Sequence, residues 1–482
     1  MWGSGGSDAF CARSGAALCL IAAFIGGLAQ ASAQTLPTAL VQAYQNNPQL
    51  NAQRAQVRVT DEAVPQALSG YRPRLSVTAS AADSFTSTTQ KSSQPDPNDP
   101  SRLVVVPPAR TLSGEFTPYS LGMTGTQTLF NGFQTANRTR LAEGQVSSAR
   151  EALRVMEQTV LLAAATVYMD LLRDTAIVDV QRSNVRVLNE TLRQTRDRFN
   201  VGEVTRTDVA QSEAQLAAGQ FQLSNAEANL TTTRANFRRV IGTEAGKLTP
   251  AAPVDRLAPP TLAAALQVGL DQNPNITSAM YGIDVANLQV KINEGALFPT
   301  VTLNGSAQRL WNNSLTQVEQ TSWSIGASAT IPIYQGGGEY ALIRQSKETL
   351  GQQRLNLEQV RDQARQAIAQ AWGIVQATKA QIESAQAQVR SSETALNGVR
   401  EEARVGQRTT LDVLNAQQAL VNARVTLVTA QRDRVVASYN LLNAVGILSP
   451  STLRLATPVY DPRIHYYQIR DSWFGLRTPD GK

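Results

Sequence analysis

The sequence predicts a mixed α and β membrane protein made of two copies of one unit, each with a pair of amphipathic strands and a very long helical hairpin. Three observations support this fold class. Segments recur along the chain at shifts of 204 to 226 residues. Residues 119–249 and 333–449 contain none of the 21 prolines, as uninterrupted helices require. Four short segments alternate between apolar and polar residues with a period of two.

The repeat is clearest at two places in the chain. Thr35–Pro48 returns as Thr261–Pro274 at a shift of 226 residues, and Arg198–Leu216 returns as Glu402–Leu420 at a shift of 204. A period of this size is too long for a solenoid unit. It therefore indicates duplication of a whole half of the protein.

The two shifts differ by 22 residues, which we interpret as an insertion in the first copy between Phe85 and Pro118. We expect a first structural repeat at 34–250 and a second, with the same order of elements, at 251–450. The remaining residues, 451–482, are expected to form a C-terminal tail.

Residues 1–33 have the pattern of a signal peptide. An apolar run, Ala16–Leu28, is followed by an A-x-A cleavage site that ends at Ala33. A membrane anchor is the alternative, but the apolar run is short for a span. Because the only cysteines, Cys11 and Cys19, lie in this segment, the mature chain is predicted to contain neither a disulfide nor a thiolate metal site.

The net charge of +6 is made of both signs mixed along the predicted helices, which is typical of solvated helix faces and not of a nucleic-acid surface. Beyond the signal segment, no stretch is continuously apolar for the ~18 residues that a membrane helix needs. Val160–Leu172 comes closest, but Asp170 interrupts it. If the chain enters a bilayer, strands must span it.

The long helices are predicted from their heptads. Small and large apolar residues of the second copy follow a 4-3 spacing that is typical of a coiled-coil seam. The seam residues are Ala364, Ile368, Ala371, Val375, Thr378, Ile382, Ala385, Val389, Ser392, Leu396, Val399 and Ala403. In the first copy, residues 137–199 give a helix of roughly 95 Å at a rise of about 1.5 Å per residue. Such a helix is too long for a compact globular protein. The protein is therefore either rod-shaped, or its helices line a long channel or cavity.

The four alternating segments are Leu75–Phe85, Tyr119–Phe130, Thr300–Trp311 and Ser322–Tyr334. Each is long enough for a tilted membrane strand of ~9–11 residues. One side of each consists mostly of Ser, Thr and Gly, as expected of a wet barrel interior. Aromatic residues near the segment ends suggest an interface girdle. They are Phe85, Tyr119, Phe130, Trp311, Trp323 and Tyr334.

The segments between the strands are predicted to be external loops, a long proline-rich one at Thr86–Thr117 and a shorter one at Asn312–Thr321. Four strands cannot close a barrel, and open edges are not tolerated in lipid. Two chains supply eight strands around a filled lumen, and three supply twelve around a pore. The alternative, two soluble β-hairpins, leaves an apolar face with nothing to cover it.

The hairpin tips, RFNVGEVTRTDV and ARVGQRTTLDVLNA, resemble those of the TolC family of outer-membrane efflux and secretion channels. The resemblance extends over nearly the whole mature chain and includes the repeat openings, the strand pairs and the ending VYDPRIHYYQIRDSWFGL. It implies an unlipidated homotrimer in the outer membrane of a Gram-negative bacterium. Its twelve-stranded barrel, surrounded by outer-membrane lipid, continues into a long antiparallel α-helical coiled-coil barrel across the periplasm. The resemblance also implies an equatorial girdle between the two barrels, where the C-terminal tail, 451–482, is expected to lie.

The same resemblance implies two protein partners. A periplasmic adaptor (membrane fusion) protein is expected to dock at the hairpin tips, at Val201, Gly202, Val405 and Gly406. An RND or ABC transporter of the inner membrane is expected to supply the cargo. The family serves both drug efflux and type I protein secretion, and the sequence leaves these two open.

Nothing in the sequence indicates an enzyme, a cofactor or a metal site. The only histidine, His465, lies in the tail, where a packed or surface role is favoured over a ligand role. Gly336–Gly338 joins a strand to a helix, as a phosphate-binding loop does. No lysine or Ser/Thr completes a phosphate-binding motif, so a simple turn is predicted.

Two Thr-x-x-Asp segments follow the tips, Thr205–Asp208 and Thr409–Asp412, and both fit a helix-capping box. Capping is therefore the first expected role of each aspartate. Arg408 is different because capping does not call for it and because its counterpart in the first copy is Val204.

The resemblance implies that the tips form the periplasmic entrance. Arg408 matches a gate arginine of the family, and Asp208 and Thr207 match its partners on the first hairpin. Asp412 matches one carboxylate of an acidic ring, and Asn415 stands where the second ring acid is typical. We therefore predict weaker cation selectivity and weaker block by multivalent cations than six ring carboxylates give.

A second departure is Ala403, which stands where the best-known members have a gate tyrosine.

The leading hypothesis is a passive export channel that binds no nucleotide and catalyses nothing. The alternative is a periplasmic coiled-coil adaptor or scaffold, which does not need two amphipathic strand pairs. A porin without a tunnel leaves the long helices unexplained.

Overall fold

The computed structural model describes residues 34–479 and residue 481, so the predicted signal peptide, 1–33, lies outside the described residues. The elements of the first half are α1 (Leu36–Asn46), α2 (Pro48–Asp61), α3 (Ala63–Leu68), β1 (Arg74–Ala81), β2 (Ser84–Asp96), β3 (Asp99–Phe116), β4 (Tyr119–Asn131), α4 (Gln134–Asn200) and α5 (Arg206–Ile241). Those of the second half are α6 (Leu262–Gln272), α7 (Pro274–Gly295), β5 (Thr300–Ser314), β6 (Gln317–Thr330), α8 (Gly338–Arg404), α9 (Thr410–Val445) and α10 (Arg463–Ile469).

The two long hairpins dominate the molecule. Helices α4 and α8 have 67 residues each, and the returning helices α5 and α9 have 36 each. At about 1.5 Å per residue, each outgoing helix is roughly 100 Å long. The prediction of long helices is confirmed, although α4 begins at Gln134, three residues before the predicted start. All twelve predicted seam residues of α8 are buried or half-buried.

One helix of the described residues, α4, contains a stretch that is apolar and long enough to cross a membrane. Its most apolar part lies in the protein interior, because Leu161, Ala164 and Tyr168 are fully buried. They pack in one cluster with residues of α1, α2, α5 and α9. Burial in this cluster accounts for the apolar composition of α4 without a membrane.

Four strands form one antiparallel sheet in the order β1-β4-β5-β6, in which the β4–β5 pair joins the two halves of the chain. Register aligns like residues across the sheet. One row consists of hydroxyl side chains that bond in pairs: Ser76 with Thr124 at 2.7 Å, and Ser306 with Ser324 at 2.8 Å. The next row is apolar and consists of Val77, Met123, Ala307 and Trp323. The predicted division into a polar and an apolar face is confirmed.

Two strand predictions are wrong in their limits. The first strand ends at Ala81, not at Phe85, and the fourth spans Gln317–Thr330. Trp323 therefore lies in the middle of β6 and not at its end, so it does not belong to a girdle. The shorter loop shrinks to the turn between Ser314 and Gln317.

The prediction that Thr86–Thr117 is an irregular loop is also wrong, whereas its external position stays a prediction. Most of Thr86–Thr117 is a second antiparallel hairpin, β2–β3, separate from the four-stranded sheet. Hydroxyl side chains pair across the two strands of this hairpin, as in the Thr89–Thr111 hydroxyl contact at 2.8 Å. The prolines that suggested a loop are tolerated because both strands are edge strands.

The repeated Asn-Pro dipeptide has a clear structural role. The Asn47 side chain accepts the Gln49 and Leu50 N–H groups to cap α2, and it donates to the Val240 carbonyl at 3.0 Å. Asn273 caps α7 and donates to the Ala444 carbonyl at 3.1 Å. In each half, one asparagine thus fixes a helix start to the end of the returning helix.

The C-terminal tail packs on the first half. The Tyr460 N–H donates to Tyr44 Oη at 3.2 Å, and the Gln45 amide donates to Thr457 Oγ1 at 3.1 Å. His465 Nδ1 lies 3.0 Å from the buried carboxylate of Asp61 in α2. Helix α10 is therefore held by a polar contact as well as by its apolar side chains.

Candidate functional site: the hairpin tips

Both hairpins reverse through the same turn. After α4, the Gly202 N–H donates to the Phe199 carbonyl and the Glu203 N–H to the Arg198 carbonyl, each at 2.9 Å. The corresponding bonds after α8 are formed by Gly406 and Gln407. This is a Schellman motif, whose left-handed position favours glycine. Gly202 and Gly406 both have φ of +81°, and the preceding residues Val201 and Val405 are highly exposed.

The two predicted capping boxes are confirmed. Thr205 Oγ1 accepts the Asp208 N–H, and Asp208 Oδ2 accepts the Thr205 N–H at 2.9 Å. In the second hairpin, Asp412 Oδ2 accepts the Thr409 N–H at 3.0 Å. Bonds from the threonine hydroxyl and N–H groups lower the pKa of both aspartates. Each carboxylate therefore keeps its charge at a pH below the usual range of aspartate.

The structure does not bring the predicted gate residues together within one chain. Arg408 Nε donates to Glu402 Oε2 at 2.8 Å, inside its own hairpin. Asp208 is engaged in its capping box, and Thr207 is exposed. A link between Arg408 and the first hairpin thus requires either a rotation of the side chain or a neighbouring subunit.

Glu402 is a tip residue that the sequence interpretation missed. In both tips an Arg–Glu pair joins the end of the outgoing helix to the turn, but the order of charge is reversed. In the first tip, Arg198 at the end of α4 donates to Glu203 in the turn at 2.9 Å. In the second, the acid ends the helix and the base, Arg408, lies in the turn. Aligning the copies at the 204-residue shift places Glu402 opposite Arg198, which is the signal that could have revealed the reversal.

A groove separates the end of α4 from the second hairpin. Residues of α4 between Ser183 and Arg198 line one wall, and residues between Arg400 and Val413 line the other. Next to the groove, Gln417 of α9 accepts from Arg400 at 3.0 Å and donates to the Asn184 side chain of α4 at 3.4 Å.

The residues predicted to form the acidic ring lie at the start of α9. Asp412 is half-buried and Asn415 is exposed, one turn further along the helix. Ala403 lines the groove beside α4. Within the described residues, no group of three or more His, Cys, Asp or Glu side chains is arranged to hold a metal ion.

Comparison with known proteins agrees with this architecture. The model of the outer membrane efflux protein family matches residues 39–243 and 265–447. The outer membrane efflux protein BepC of Brucella suis is 41% identical over 453 residues, which are 94% of this chain and 94% of BepC. The outer membrane protein TolC of Vibrio cholerae is 25% identical over 439 residues, 89% of this chain and 94% of TolC.

The fold has a solved counterpart as well. The Campylobacter jejuni CmeC outer membrane channel superposes with a TM-score of 0.72 at 17% identity, over 90% of this chain and 89% of CmeC. The matched segments include both strand pairs, both hairpins and both tips, so the resemblance to TolC channels is confirmed. The chain belongs to the outer membrane efflux protein family.

Proposed function

We propose that this protein is the outer-membrane channel of a tripartite export system. A periplasmic adaptor and an inner-membrane RND or ABC transporter discharge cargo through it to the cell exterior. The observation that supports this most strongly is the two-faced sheet, which has a row of hydroxyls on one side and Val77, Met123 and Trp323 on the other. It continues directly into helices of 67 residues. A hydroxyl-lined face suits water, and an apolar face suits lipid.

The two sheet edges support a trimer. Strands β1 and β6 each pair on one side only, and unpaired strand edges are not tolerated in lipid. With four alternating antiparallel strands per chain, β6 of one subunit runs antiparallel to β1 of the next. Every junction of a closed ring can then be antiparallel. Three subunits supply twelve strands, which leave an open lumen, whereas eight strands leave one filled with side chains.

The tips support adaptor docking. Val201 and Val405 are exposed apolar residues at the far end of the hairpins, beside the groove along α4. An adaptor helix with apolar side chains can cover both. For cargo, BepC is named an efflux protein and is 41% identical to this chain. We therefore favour small-molecule efflux over protein secretion.

The test is complementation of a strain that lacks its outer-membrane efflux channel. Expression of this protein together with its adaptor and pump is expected to restore drug resistance and to lower intracellular dye. Secretion of a type I substrate without drug resistance assigns the channel to protein export instead. A protein that leaves the membrane fraction after a high-salt wash is the periplasmic scaffold of the alternative hypothesis.

Arg408→Ala is expected to raise the conductance of the closed channel severalfold, because it removes a cation from the predicted gate. The measurement is single-channel recording in planar bilayers. Arg404→Ala is the matched control, since Arg404 is also exposed, lies four residues away and pairs with Glu401 at 3.1 Å. An Arg408→Ala conductance equal to that of the control removes Arg408 from the gate.

Asp412→Asn is expected to reduce cation selectivity. It removes the charge but keeps an acceptor for the Thr409 N–H, so the helix cap is retained. Because the pKa of Asp412 is lowered, its charge is present above that pKa and disappears only as pH falls through it. Wild-type selectivity should therefore persist below the usual aspartate range. Reversal potentials measure this. The control is Asp362→Asn, which removes an exposed carboxylate of α8 far from the tip. Equal reversal potentials for wild type and Asp412→Asn contradict the predicted acidic ring.

A further inference from the structure

The C-terminal tail forms an exposed apolar loop after α10. Trp473, Phe474 and Leu476 expose 60%, 91% and 104% of their surfaces. The loop is anchored at both ends. The Ser472 N–H donates to the Ile469 carbonyl at 3.0 Å, and Pro479 lines the same cavity as Gln468. The chain thus leaves the tail domain and returns to it, with its apolar residues at the apex.

Two contacts fix the apex next to the sheet. Arg72 Nη1 donates to the Ser472 carbonyl at 2.7 Å, and its guanidinium lies 4.7 Å from the centre of the Trp473 ring. Arg72 precedes β1, which begins at Arg74. Two residues span at most about 7 Å, so the apex lies at the base of the first strand.

The apex continues an apolar band at the junction of strands and helices. Phe133 follows β4, Phe298 precedes β5, and Ile333 and Tyr334 follow β6. All four expose more than half of their surfaces. Exposed apolar and aromatic side chains at the ends of membrane strands mark the boundary between lipid and water. The loop therefore lies at the same level as the edge of the apolar sheet face.

The charges around the apex match a phospholipid surface. Arg470 and Arg477 flank the loop, and Arg74 lies at the start of the strand beside it. Asp471 is the only acidic residue between the two flanking arginines. Apolar side chains between cations are the arrangement of an interfacial anchor, because the arginines reach phosphate groups while the rings enter the acyl boundary.

We propose that Trp473, Phe474 and Leu476 form an interfacial anchor that inserts into the phospholipid leaflet facing the periplasm. This inference rests on the proposed function, since it requires the sheet to span the outer membrane. The anchor holds the tail, and through the Arg72 contact the base of β1, at a fixed depth in the membrane. The competing occupant of the loop is a neighbouring subunit.

Tryptophan quenching by brominated lipids tests the depth directly. The described residues contain four tryptophans, at positions 311, 323, 372 and 473. Three single-tryptophan variants are prepared by Trp→Phe substitution and inserted into phosphatidylethanolamine–phosphatidylglycerol vesicles. Brominated phosphatidylcholine is added with bromine near the headgroup or near the chain end. Trp323, on the apolar sheet face, is the deep control. Trp372, which packs against the apolar cluster between α6, α8 and α9, is the water-side control.

If the loop is an interfacial anchor, Trp473 fluorescence is quenched mainly by bromine near the headgroup, whereas Trp323 fluorescence is quenched mainly by bromine near the chain end. Quenching of Trp323 together with a Trp473 signal as unaffected as that of Trp372 overturns the anchor and leaves the channel intact. If Trp323 is not quenched either, the sheet does not enter the bilayer and the proposed function itself fails.

A second variant distinguishes insertion of the loop into lipid from contact of the loop with a neighbouring subunit. Phe474→Ser with Leu476→Ser, in the chain that retains only Trp473, is expected to lose most of the shallow quenching and to remain as oligomeric as its parent in detergent. Dissociation of the double variant in detergent shows that the loop covers another subunit, and this result overturns the lipid assignment.

Discussion

Ile325→Arg is expected to keep the protein out of the outer membrane. Ile325 lies near the middle of β6 on the apolar face and exposes 72% of its surface. An arginine at the midplane of a membrane barrel costs about 2–4 kcal/mol. In the proposed trimer the substitution occurs three times, so the assembly loses about 6–12 kcal/mol. That loss is comparable to the whole stability of a typical protein domain.

The control is the adjacent residue. Ser324→Arg introduces the same side chain on the polar face, where the Ser324 hydroxyl bonds to the Ser306 hydroxyl at 2.8 Å. We expect this variant to insert and to conduct less, because the arginine narrows a water-filled lumen. Outer-membrane fractionation and bilayer recording measure the two effects. Equal insertion of both variants contradicts the assignment of the faces, and loss of both points to a general folding defect.

The long helices could be predicted because their signal is repeated many times. Absence of proline and a twelve-position heptad seam both indicate a helix, and neither depends on a distant contact. Strand existence was predictable for the same reason, since alternation is local. The limits of β1 and β6 were not, because they depend on cross-strand partners such as the Ala82 N–H bond to the Pro118 carbonyl.

The hairpin β2–β3 shows a different limit of the sequence. Its prolines and polar residues are typical of a loop, and no apolar alternation indicates strands. Pairing between Ser84–Asp96 and Asp99–Phe116 satisfies the backbone without requiring an apolar face. An edge hairpin in water needs only backbone bonds and compatible side chains, so its sequence has little pattern to detect.

At the tips, local chemistry was predictable and pairing was not. The capping boxes follow from a four-residue spacing, and the glycines follow from a left-handed turn. The partner of Arg408 depends on which nearby acidic residue its flexible side chain reaches. In the structure this residue is Glu402. An exposed pair of this kind contributes little to stability, so it can be exchanged for a partner on another hairpin at small cost.

Gly446→Ala is expected to destabilise the protein at the place where the two halves of the fold meet. Gly446 follows α9 with φ of +85°, and its carbonyl accepts the buried Gln158 amide of α4 at 2.6 Å. An added Cβ lies only 2.6 Å from the Asn273 Cα, which is backbone and cannot move alone. The positive φ costs about 1–2 kcal/mol, and overpacking costs about 1–3 kcal/mol more.

Gly406→Ala separates these two contributions. Gly406 has a similar φ of +81°, but an added Cβ meets nothing within 4 Å. The free energy of unfolding of Gly406→Ala should therefore fall only by the cost of the positive φ. The further fall in Gly446→Ala is the cost of separating α9 from Asn273. Urea unfolding followed by circular dichroism measures both free energies. If Gly446→Ala is no less stable than Gly406→Ala, the backbone at Asn273 moves away from the added Cβ at little cost. The repeated asparagine then does not fix the returning helix, although its two hydrogen bonds suggest that it does.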